Sequence, residues 1–277
     1  MGPDAIRSAL FRYGSSYNVE RDIDLSSVRL ADFGNLICDD TSLEKTHRRL
    51  TEAVSEIVQL GAIPLLLGGG HDLSFGGVRG LAEAAHAPMG GITLDAHFDV
   101  REVIDGKITS GTPFRNILEH VKEVRGAQFV EIGINGLVNA REHQDYLDIQ
   151  GARIFSLSEV RQKGMAAILE KSLRIAAFET KNIFCSIDLD AIAQAFAPGV
   201  SAPSPEGLTP EEVSLATYLF GLHEKTAYLD LMELNPHFDQ DDRTARLAAA
   251  LILHFVSGFA QRKKNPKKVI GFRGATT

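Results

Sequence analysis

Short apolar runs alternate with longer amphipathic stretches along most of the chain. Seven runs have the length and residue content of strands, and glycine, proline or polar residues bound them. The predicted strands are residues 28–33, 63–67, 91–94, 128–132, 153–156, 183–187 and 227–232. Strands that alternate with helices are typical of βαβ units, so the pattern predicts an α/β fold built on one parallel sheet.

Helix-start signals lie between several of these strands. Thr-Pro-Glu-Glu at 209–212 combines a capping threonine with proline at the first helical position and glutamate at the third. Thr-Ser-Leu-Glu at 41–44 predicts another capping box, before a helix that ends at Gly61. Residues 244–259 are predicted to form the final amphipathic helix. Because no linker, repeat or change of composition divides the 277 residues, one domain over 1–277 is predicted.

Composition and charge narrow the class of partner. The chain is 44% hydrophobic and 23% charged, and its formal net charge of −7 argues against nucleic acid. The basic segment 262–268 is expected to be a solvated helix end rather than a binding patch. No apolar run approaches the roughly 20 residues of a membrane span. The two cysteines form no disulfide or metal-binding pattern, and Cys185 is predicted to be a reduced core residue. Since no signal-peptide pattern is visible either, the sequence predicts a cytoplasmic protein.

Candidate metal ligands follow the predicted strands. The segment 94–99 places Asp95, His97 and Asp99 at positions i, i+2 and i+4, which share one face of an extended chain. Two carboxylates on that face would repel each other unless a cation lay between them. Asp188 and Asp190 repeat the spacing after another apolar run, where capping of a following helix is the alternative interpretation.

A glycine turn at 68–72, Gly-Gly-Gly-His-Asp, supplies a second imidazole, that of His71. A phosphate-binding loop would need a lysine where His71 stands, so the glycines are expected to let the backbone approach a crowded metal site. Ligand sites of open parallel sheets form at the carboxyl ends of the strands, which predicts that these segments and Glu233 converge. The remaining histidines are expected to be surface or helix residues without a ligand-spaced carboxylate partner: His47, His86, His120, His143, His223, His237 and His254. Among them His237 is ambiguous, because it is near Glu233.

Two imidazoles and at least four carboxylates suffice for two divalent cations. A donor set dominated by carboxylates, without cysteine, favours Mn²⁺, with Fe²⁺, Co²⁺ and Zn²⁺ as substitutes. Two such ions about 3.5–4 Å apart would activate a shared water, so hydrolysis is the predicted chemistry.

Four ordered motifs resemble those of the ureohydrolase superfamily of arginases, agmatinases and formimidoylglutamases. They are Gly-Gly-Gly-His at 68–71, Asp-Ala-His-Phe-Asp at 95–99, Ser-Ile-Asp-Leu-Asp at 186–190 and Leu-Met-Glu-Leu-Asn-Pro at 231–236. Gly-Pro-Asp-Ala-Ile-Arg at 2–7 is similar to the family's early helix. The resemblance implies a parallel sheet sandwiched between helices on both faces, two Mn²⁺ ions per subunit and a homo-oligomer. The family's first strand would precede residue 2 and is expected to be missing.

The resemblance also implies roles for single residues. One ion would be held by His71, Asp95, Asp99 and Asp188. The other would be held by Asp95, His97, Asp188 and Asp190. Asp95 and Asp188 would therefore bridge, and Asp99 would also accept a hydrogen bond from the attacking water. Glu233 matches the carboxylate that pairs with the cationic amidine or guanidine of the substrate; a surface glutamate at a strand end is the alternative.

Details in three loops resemble formimidoylglutamases in particular. They are Ala-Pro-Gly-Val-Ser-Ala-Pro at 197–203, Arg101, and Ser-Gly-Thr-Pro-Phe-Arg at 110–115. Arginases carry asparagine at the Arg101 position. N-formimidoylglutamate has two carboxylates and no α-ammonium, so Arg101 can bind it bidentately but would repel arginine. A solvated surface arginine is the alternative. Ser110, Thr112 and Asn135 are predicted as further substrate contacts.

The predicted activity is therefore hydrolysis of N-formimidoyl-L-glutamate to L-glutamate and formamide, a step of histidine degradation. Two alternatives stay open. One is another ureohydrolase, acting on agmatine, arginine or a guanidino acid, and the other is a non-catalytic relative that serves as a binding or assembly protein.

Overall fold

The computed structural model describes residues 1–13, 17–39, 42–262 and 269–276. Its helices are α1 (Gly2–Phe11), α2 (Leu43–Gln59), α3 (Leu73–Ala85), α4 (Pro113–His120), α5 (Arg141–Gln150), α6 (Leu157–Lys163), α7 (Met165–Ala177), α8 (Pro210–Leu222) and α9 (Arg243–Ala260). Its strands are β1 (Tyr17–Asn18), β2 (Ile23–Asp24), β3 (Arg29–Ile37), β4 (Ile63–Leu67), β5 (Met89–Leu94), β6 (Val124–Ile134), β7 (Arg153–Ser156), β8 (Asn182–Asp188), β9 (Thr226–Met232) and β10 (Val269–Thr276). Two 3₁₀ helices cover Leu25–Ser27 and Leu189–Ala191.

Eight strands form one parallel sheet in the order β3-β10-β4-β9-β8-β5-β6-β7. The strands β1 and β2 pair separately as an antiparallel ribbon. Every residue of β5 is buried, as is typical of parallel strands covered on both faces. The predicted α/β fold is confirmed, and β4 and β7 have the predicted bounds.

Helices cover both faces of this sheet. One hydrophobic core combines residues of α1, α7, α8 and α9 with strand residues such as Ile92 and Cys185. The other combines residues of α2, α3, α4 and α5 with strand residues such as Phe129 and Phe184. The neighbours Phe184 and Cys185 belong to opposite cores because successive side chains of a strand point to opposite faces. The predicted sandwich is confirmed, and Cys185 is a buried core thiol.

The predicted N-cap is confirmed at α8, whereas at α2 the observed N-cap is one residue later than predicted. Thr209 caps α8, and the Glu212 carboxylate accepts the Thr209 backbone N–H at 2.7 Å, which completes the predicted box. At α2 the N-cap is Ser42, whose hydroxyl accepts the Lys45 backbone N–H at 3.3 Å. Thr41, the cap predicted there, lies outside the described residues.

One strand of the sheet was not predicted and comes from the far end of the chain. β10 lies between β3 and β4, parallel to both, with Ile270 paired to Leu30 on one side and Ile63 on the other. Near the carboxyl end of β10, Gly274 lies so close to Pro3 of α1 that a side chain would collide with it. In the described sheet β3 has no other partner, so β10 joins it to the remaining strands.

The segment predicted as a solvated helix end is described only at Arg262, and residues 263–268 lie outside the described ranges. Arg262 is 8% exposed, and its Nε donates to the Gly221 carbonyl at 2.6 Å. Burial lowers the pKa of Arg262 to about 10. For this residue the expected solvation is wrong, because its guanidinium binds a carbonyl left without a partner at the end of α8.

None of the described helices combines the length and the apolar character needed to cross a bilayer. The single domain over 1–277 and the missing first strand of the family both stay predictions.

Candidate metal centre

The predicted ligands lie at the carboxyl ends of neighbouring central strands. The strand β4 ends four residues before His71, β5 ends directly before Asp95, and β8 ends on Asp188. Between β4 and β8 lies β9, which ends directly before Glu233. Since β4, β9, β8 and β5 are adjacent and parallel, the fold brings all these segments to one edge of the sheet.

Four side chains form a first group of potential metal ligands: His71, Asp95, Asp99 and Asp188. The Nδ1 atom of His71 lies 3.1 Å from an oxygen of Asp95, 3.1 Å from one of Asp99 and 3.0 Å from one of Asp188. These approaches lack hydrogen-bond geometry, since His71 Nδ1 and Asp95 Oδ2 are buried without a hydrogen-bond partner in the described part of the chain. Donor atoms that crowd one point without bonding to each other fit a cation.

A second group shares Asp95 with the first and adds His97 and Asp190. His97 Nδ1 lies 3.3 Å from Asp190 and 3.5 Å from Asp95. Within the described ranges, Asp190 Oδ1 is buried without a hydrogen-bond partner. Asp95 therefore faces both groups, as expected of a bridging ligand. Asp188, the other expected bridge, joins only the first group, and its Oδ1 accepts the backbone N–H of Asp190 at 2.7 Å.

The electrostatics of the two groups call for added positive charge. Burial, followed by the charges of Asp190 and Asp95, raises the pKa of Asp188 well above its usual value. Burial and Asp95 raise the pKa of Asp99 to about 7, and burial raises that of Asp190 to about 6. Asp190 and Asp95 in turn raise the pKa of His97 to about 11. Divalent cations would resolve this conflict, because metal binding keeps carboxylates ionised and imidazoles neutral.

Asp99 and Glu233 share an unusual backbone conformation. The φ angle is 49° at Asp99 and 68° at Glu233, in the left-handed region. Among the eight non-glycine residues of the described ranges with positive φ, only these two are not exposed. This conformation costs an L-residue about 1–2 kcal/mol, and such strain is retained where the surroundings fix a functional side chain.

The Glu233 carboxylate is held beside the ligand groups by two hydrogen bonds. Its Oε1 accepts the backbone N–H of His71 at 2.8 Å, and its Oε2 accepts the hydroxyl of Ser201 at 2.8 Å. Glu233 lines a cavity of about 270 Å³ with Gly69, Gly70 and Ser201. A carboxylate in this cavity can accept hydrogen bonds from an amidine or guanidine group, the role expected of Glu233.

Arg101 is an unpaired cation two residues beyond Asp99. It lines a cavity of about 640 Å³ that also contains Arg115 and His143. Arg115 pairs with Glu102 at 2.8 Å, whereas the guanidinium of Arg101 has no hydrogen bond or ion pair to any described residue. This cavity therefore offers a cation to an anionic group.

The other predicted substrate contacts have varied surroundings. Ser110 is exposed, and its contact with a substrate stays a prediction. Thr112 is 1% exposed, and its hydroxyl donates to the Thr109 carbonyl at 2.7 Å. Asn135 is 8% exposed, and its amide donates to the Ser204 hydroxyl at 3.1 Å. The side chains of Thr112 and Asn135 thus already have partners within the protein, which leaves them less able to contact a substrate.

Comparison with known proteins agrees with this geometry. The Arginase family model matches residues 1–258. The chain belongs to the arginase family. A formimidoylglutamase of Halalkalibacterium halodurans is 31% identical over 258 residues, which are 92% of this chain and 80% of that protein.

Solved structures extend the similarity to the fold. Trypanosoma cruzi formiminoglutamase with Mn²⁺ has a TM-score of 0.88 and 36% identity, over 94% of this chain and 86% of that one. Formimidoylglutamase from Bacillus subtilis has a TM-score of 0.89 and 28% identity, over 95% and 81%. The resemblance to ureohydrolases is confirmed, and this arginase-family chain is a hydrolase of amidine carbon–nitrogen bonds.

Sequence reasoning missed polar residues inside the central strands of this arginase-family chain. Ser186, Asp230 and Glu131 are all fully buried. Neither carboxylate oxygen of Glu131 has a hydrogen-bond partner among the described residues, and burial, followed by the charges of Asp95 and Asp99, raises the pKa of Glu131 well above the usual value. The available signal was a polar residue within an apolar run, which also occurs in strands without function.

His47 lies within the helix α2, as expected, and has a partner that no sequence spacing indicated. It is 2% exposed, and its Nε2 lies 2.7 Å from Asp72 Oδ2, 25 residues further along the chain. The pairing was missed because it depends on how α2 packs against α3, which no local spacing records. His237 is exposed and belongs to neither ligand group.

Proposed function

We propose that this arginase-family chain is a Mn²⁺-dependent formimidoylglutamase that converts N-formimidoyl-L-glutamate to L-glutamate and formamide. The observation that carries the proposal is the pair of ligand groups that share Asp95. Arg101, two residues after the ligand Asp99, adds a cation whose guanidinium has no hydrogen bond or ion pair to any described residue. Formimidoylglutamases among the relatives, one of them solved with Mn²⁺, support the same choice of substrate and metal.

The chain's own residues would divide the chemistry between them. Two divalent cations held by the ligand groups would supply Lewis acidity, which makes water nucleophilic at neutral pH. Asp99 Oδ2 faces His71, which leaves Oδ1 to accept a hydrogen bond from the attacking water. Glu233 would accept charge-assisted hydrogen bonds from the amidinium nitrogens and orient the carbon under attack.

Arg101 would select the substrate by charge. Its planar guanidinium can hold a carboxylate of formimidoylglutamate through two parallel hydrogen bonds. The pKa of nearby His143 is lowered by burial, and then, against the opposing charge of Glu142, by the charges of Arg101 and Arg115. Since Arg115 pairs with Glu102, Arg101 is the cation left to meet a substrate, and it would repel the α-ammonium of arginine if that group were placed next to it.

The substrate assignment is tested with a panel of compounds and added Mn²⁺. Formamide and glutamate should be released from formimidoylglutamate, without urea from agmatine, arginine or guanidino acids. Asp188→Ala should abolish turnover, whereas Asp148→Ala, an exposed carboxylate on α5, should not. Urea release would identify another ureohydrolase. No turnover of any compound by a chain with two bound Mn²⁺ ions would identify a non-catalytic relative.

Arg101→Ala tests the proposed selectivity. Losing a charge-assisted bidentate pair should raise KM for formimidoylglutamate about 10- to 100-fold with little change in kcat, because the contact is the same in ground and transition states. Arg174→Ala, which breaks an exposed pair with Glu170, is the matched control. An unchanged KM in Arg101→Ala would remove this residue from substrate binding.

A cytoplasmic location, homo-oligomeric assembly and the absence of nucleic-acid or membrane partners belong to the same proposal. Light scattering of the purified chain would measure the assembly, and a monomer at all concentrations would contradict it.

A further inference from the structure

A row of buried polar side chains crosses the sheet behind the metal centre. Asp230 of β9 is in register with Ser186 of β8, which is in register with Thr93 of β5, which faces Glu131 of β6. All four are 0% exposed. Because burying polar groups in a sheet is unfavourable unless they are hydrogen-bonded, this row calls for a function beyond packing.

Three hydrogen bonds connect Ser186, Asp230 and the neighbouring Tyr228 to the predicted metal ligand His71. His71 Nε2 lies 2.9 Å from Ser186 Oγ, and the Ser186 hydroxyl donates to Asp230 Oδ1 at 2.5 Å. The hydroxyl of Tyr228 donates to the other oxygen, Asp230 Oδ2, at 2.9 Å. Asp230 thus accepts from two hydroxyls and fixes the direction of both.

The direction of these bonds determines which nitrogen of His71 carries the proton. A hydroxyl has a single proton, and that of Ser186 is committed to Asp230, so Ser186 Oγ can only accept from the Nε2–H of His71. A neutral imidazole with its proton on Nε2 presents the Nδ1 lone pair. That nitrogen is the one that faces Asp95, Asp99 and Asp188.

We propose that Asp230 is a positioning residue that acts through Ser186 to hold His71 in its metal-ligating tautomer. His97, the imidazole of the second group, has no such support. Its side chain is 22% exposed, and its Nε2 has no hydrogen bond within the described part of the chain. The relay formed by Tyr228, Asp230, Ser186 and His71 therefore strengthens the first ligand group selectively. This inference rests on the proposed metal-dependent function.

Calorimetric and electron paramagnetic resonance titration with Mn²⁺ tests the relay without relying on turnover. Ser186→Ala and Asp230→Asn should each raise the dissociation constant of one ion about 10- to 100-fold, the usual effect of removing a partner of a ligating histidine. The other ion should change by less than about twofold. At intermediate Mn²⁺ these variants should show the six-line signal of a single ion where the unaltered chain shows a coupled pair.

The double variant tests whether Asp230 acts through Ser186. If it does, Ser186→Ala with Asp230→Asn should bind Mn²⁺ no more weakly than the weaker single variant. Ser172→Ala is the control, because Ser172 is also a fully buried serine and its hydroxyl donates only to the Ile168 carbonyl of its own helix. It should leave both dissociation constants unchanged.

Three results would overturn the relay: unchanged affinities in Ser186→Ala, equal weakening of both ions, or additive effects in the double variant. If Asp230→Asn does not fold, Ser186→Ala tests the step from Ser186 to His71. Tyr228→Phe, which removes a hydrogen bond to Asp230 Oδ2, then tests the step through Asp230 and should weaken the same ion; unchanged affinity in both variants would overturn the relay. Failure of the proposed function is distinguishable, because formimidoylglutamate turnover by the unaltered chain is measured separately. Two bound ions with the predicted selective loss, but no formamide release, would keep the relay and reject the substrate.

Discussion

The centre and the margin of the sheet meet different physical demands. At β4, β9, β8 and β5 the strands are buried, and their carboxyl ends gather acidic side chains, among which burial raises the pKa values of Asp99, Asp188 and Asp190. At the margin, β3 is mostly exposed or half-buried, carries no predicted ligand and joins the sheet only through β10. This comparison indicates that the fold places buried, unfavourable charge at the carboxyl ends of the central strands, where a bound cation can offset it. The margin contributes packing instead.

The largest expected effect is at the centre, on substituting Asp188. Asp188→Asn should lower kcat/KM about 10³-fold or more, since it removes a ligand charge worth roughly 4 kcal/mol at the transition state. The same change should raise the unfolding temperature measured in chelator, because it replaces a buried carboxylate that strongly resists ionisation. Activity within tenfold of the unaltered chain would contradict the assignment.

A substitution in β10, the strand that joins the margin to the centre, should reverse this pattern. Ile270 of β10 is fully buried, so Ile270→Ala should lower the free energy of unfolding by about 2–4 kcal/mol. Both Mn²⁺ dissociation constants and kcat should stay within about twofold. Urea denaturation and Mn²⁺ titration on the same preparation measure the two quantities. Loss of metal affinity in the folded variant would show that centre and margin are coupled.

How far the sequence predicted the molecule depends on how local each signal is. The strand β4 was predicted residue for residue because a buried strand is a short apolar run between polar boundaries. The half-buried β7, at the other edge of the sheet, was also predicted with its observed bounds. The strand β10 was missed because Val269–Thr276 contains two glycines and an arginine, and its place between β3 and β4 is a long-range pairing. Local pattern does not record which distant strands become neighbours.

The site shows the same limit. Asp95, His97 and Asp99 were predictable because a single segment carries the ligand spacing. Ser186 and Asp230 were not, since each is one polar residue in an apolar run and its partner comes from another strand. The hydrogen bond that Asn135 donates to Ser204 likewise depends on tertiary contact, so the sequence did not indicate it, and the substrate contact of Asn135 stays a prediction.

Glu233→Gln should separate substrate contact from metal binding within the centre. Removing the charge that faces the amidinium should lower kcat/KM about 10²-fold, as for other charge-assisted contacts of transition states. Mn²⁺ affinity should not change, because Glu233 belongs to neither ligand group. A variant that loses Mn²⁺ along with activity would assign Glu233 to the metal centre instead.

The smallest expected effect is the pH dependence of stability in chelator. Folding raises the pKa of Asp190 to about 6 and of Asp99 to about 7 from ordinary values of 3.8. The folded chain therefore binds more protons than the unfolded one, and the free energy of unfolding should fall as pH rises from about 4 to about 7. The pKa of His97 is raised from 6.5 to about 11, so the free energy of unfolding should continue to fall between about pH 6.5 and about pH 11.

Mn²⁺ should oppose this trend, because ligands bind the ion only when deprotonated. Urea unfolding at a series of pH values, with chelator and with Mn²⁺, measures both slopes. A free energy of unfolding that rises with pH in chelator would show that folding does not raise the pKa values of Asp99 and Asp190.

Anomalous scattering from crystals grown with Mn²⁺ tests the paired-ion centre most directly. We expect two peaks in each chain, one among His71, Asp95, Asp99 and Asp188 and the other among Asp95, His97 and Asp190. No peak at this edge of the sheet, or a single ion bound elsewhere, would contradict it.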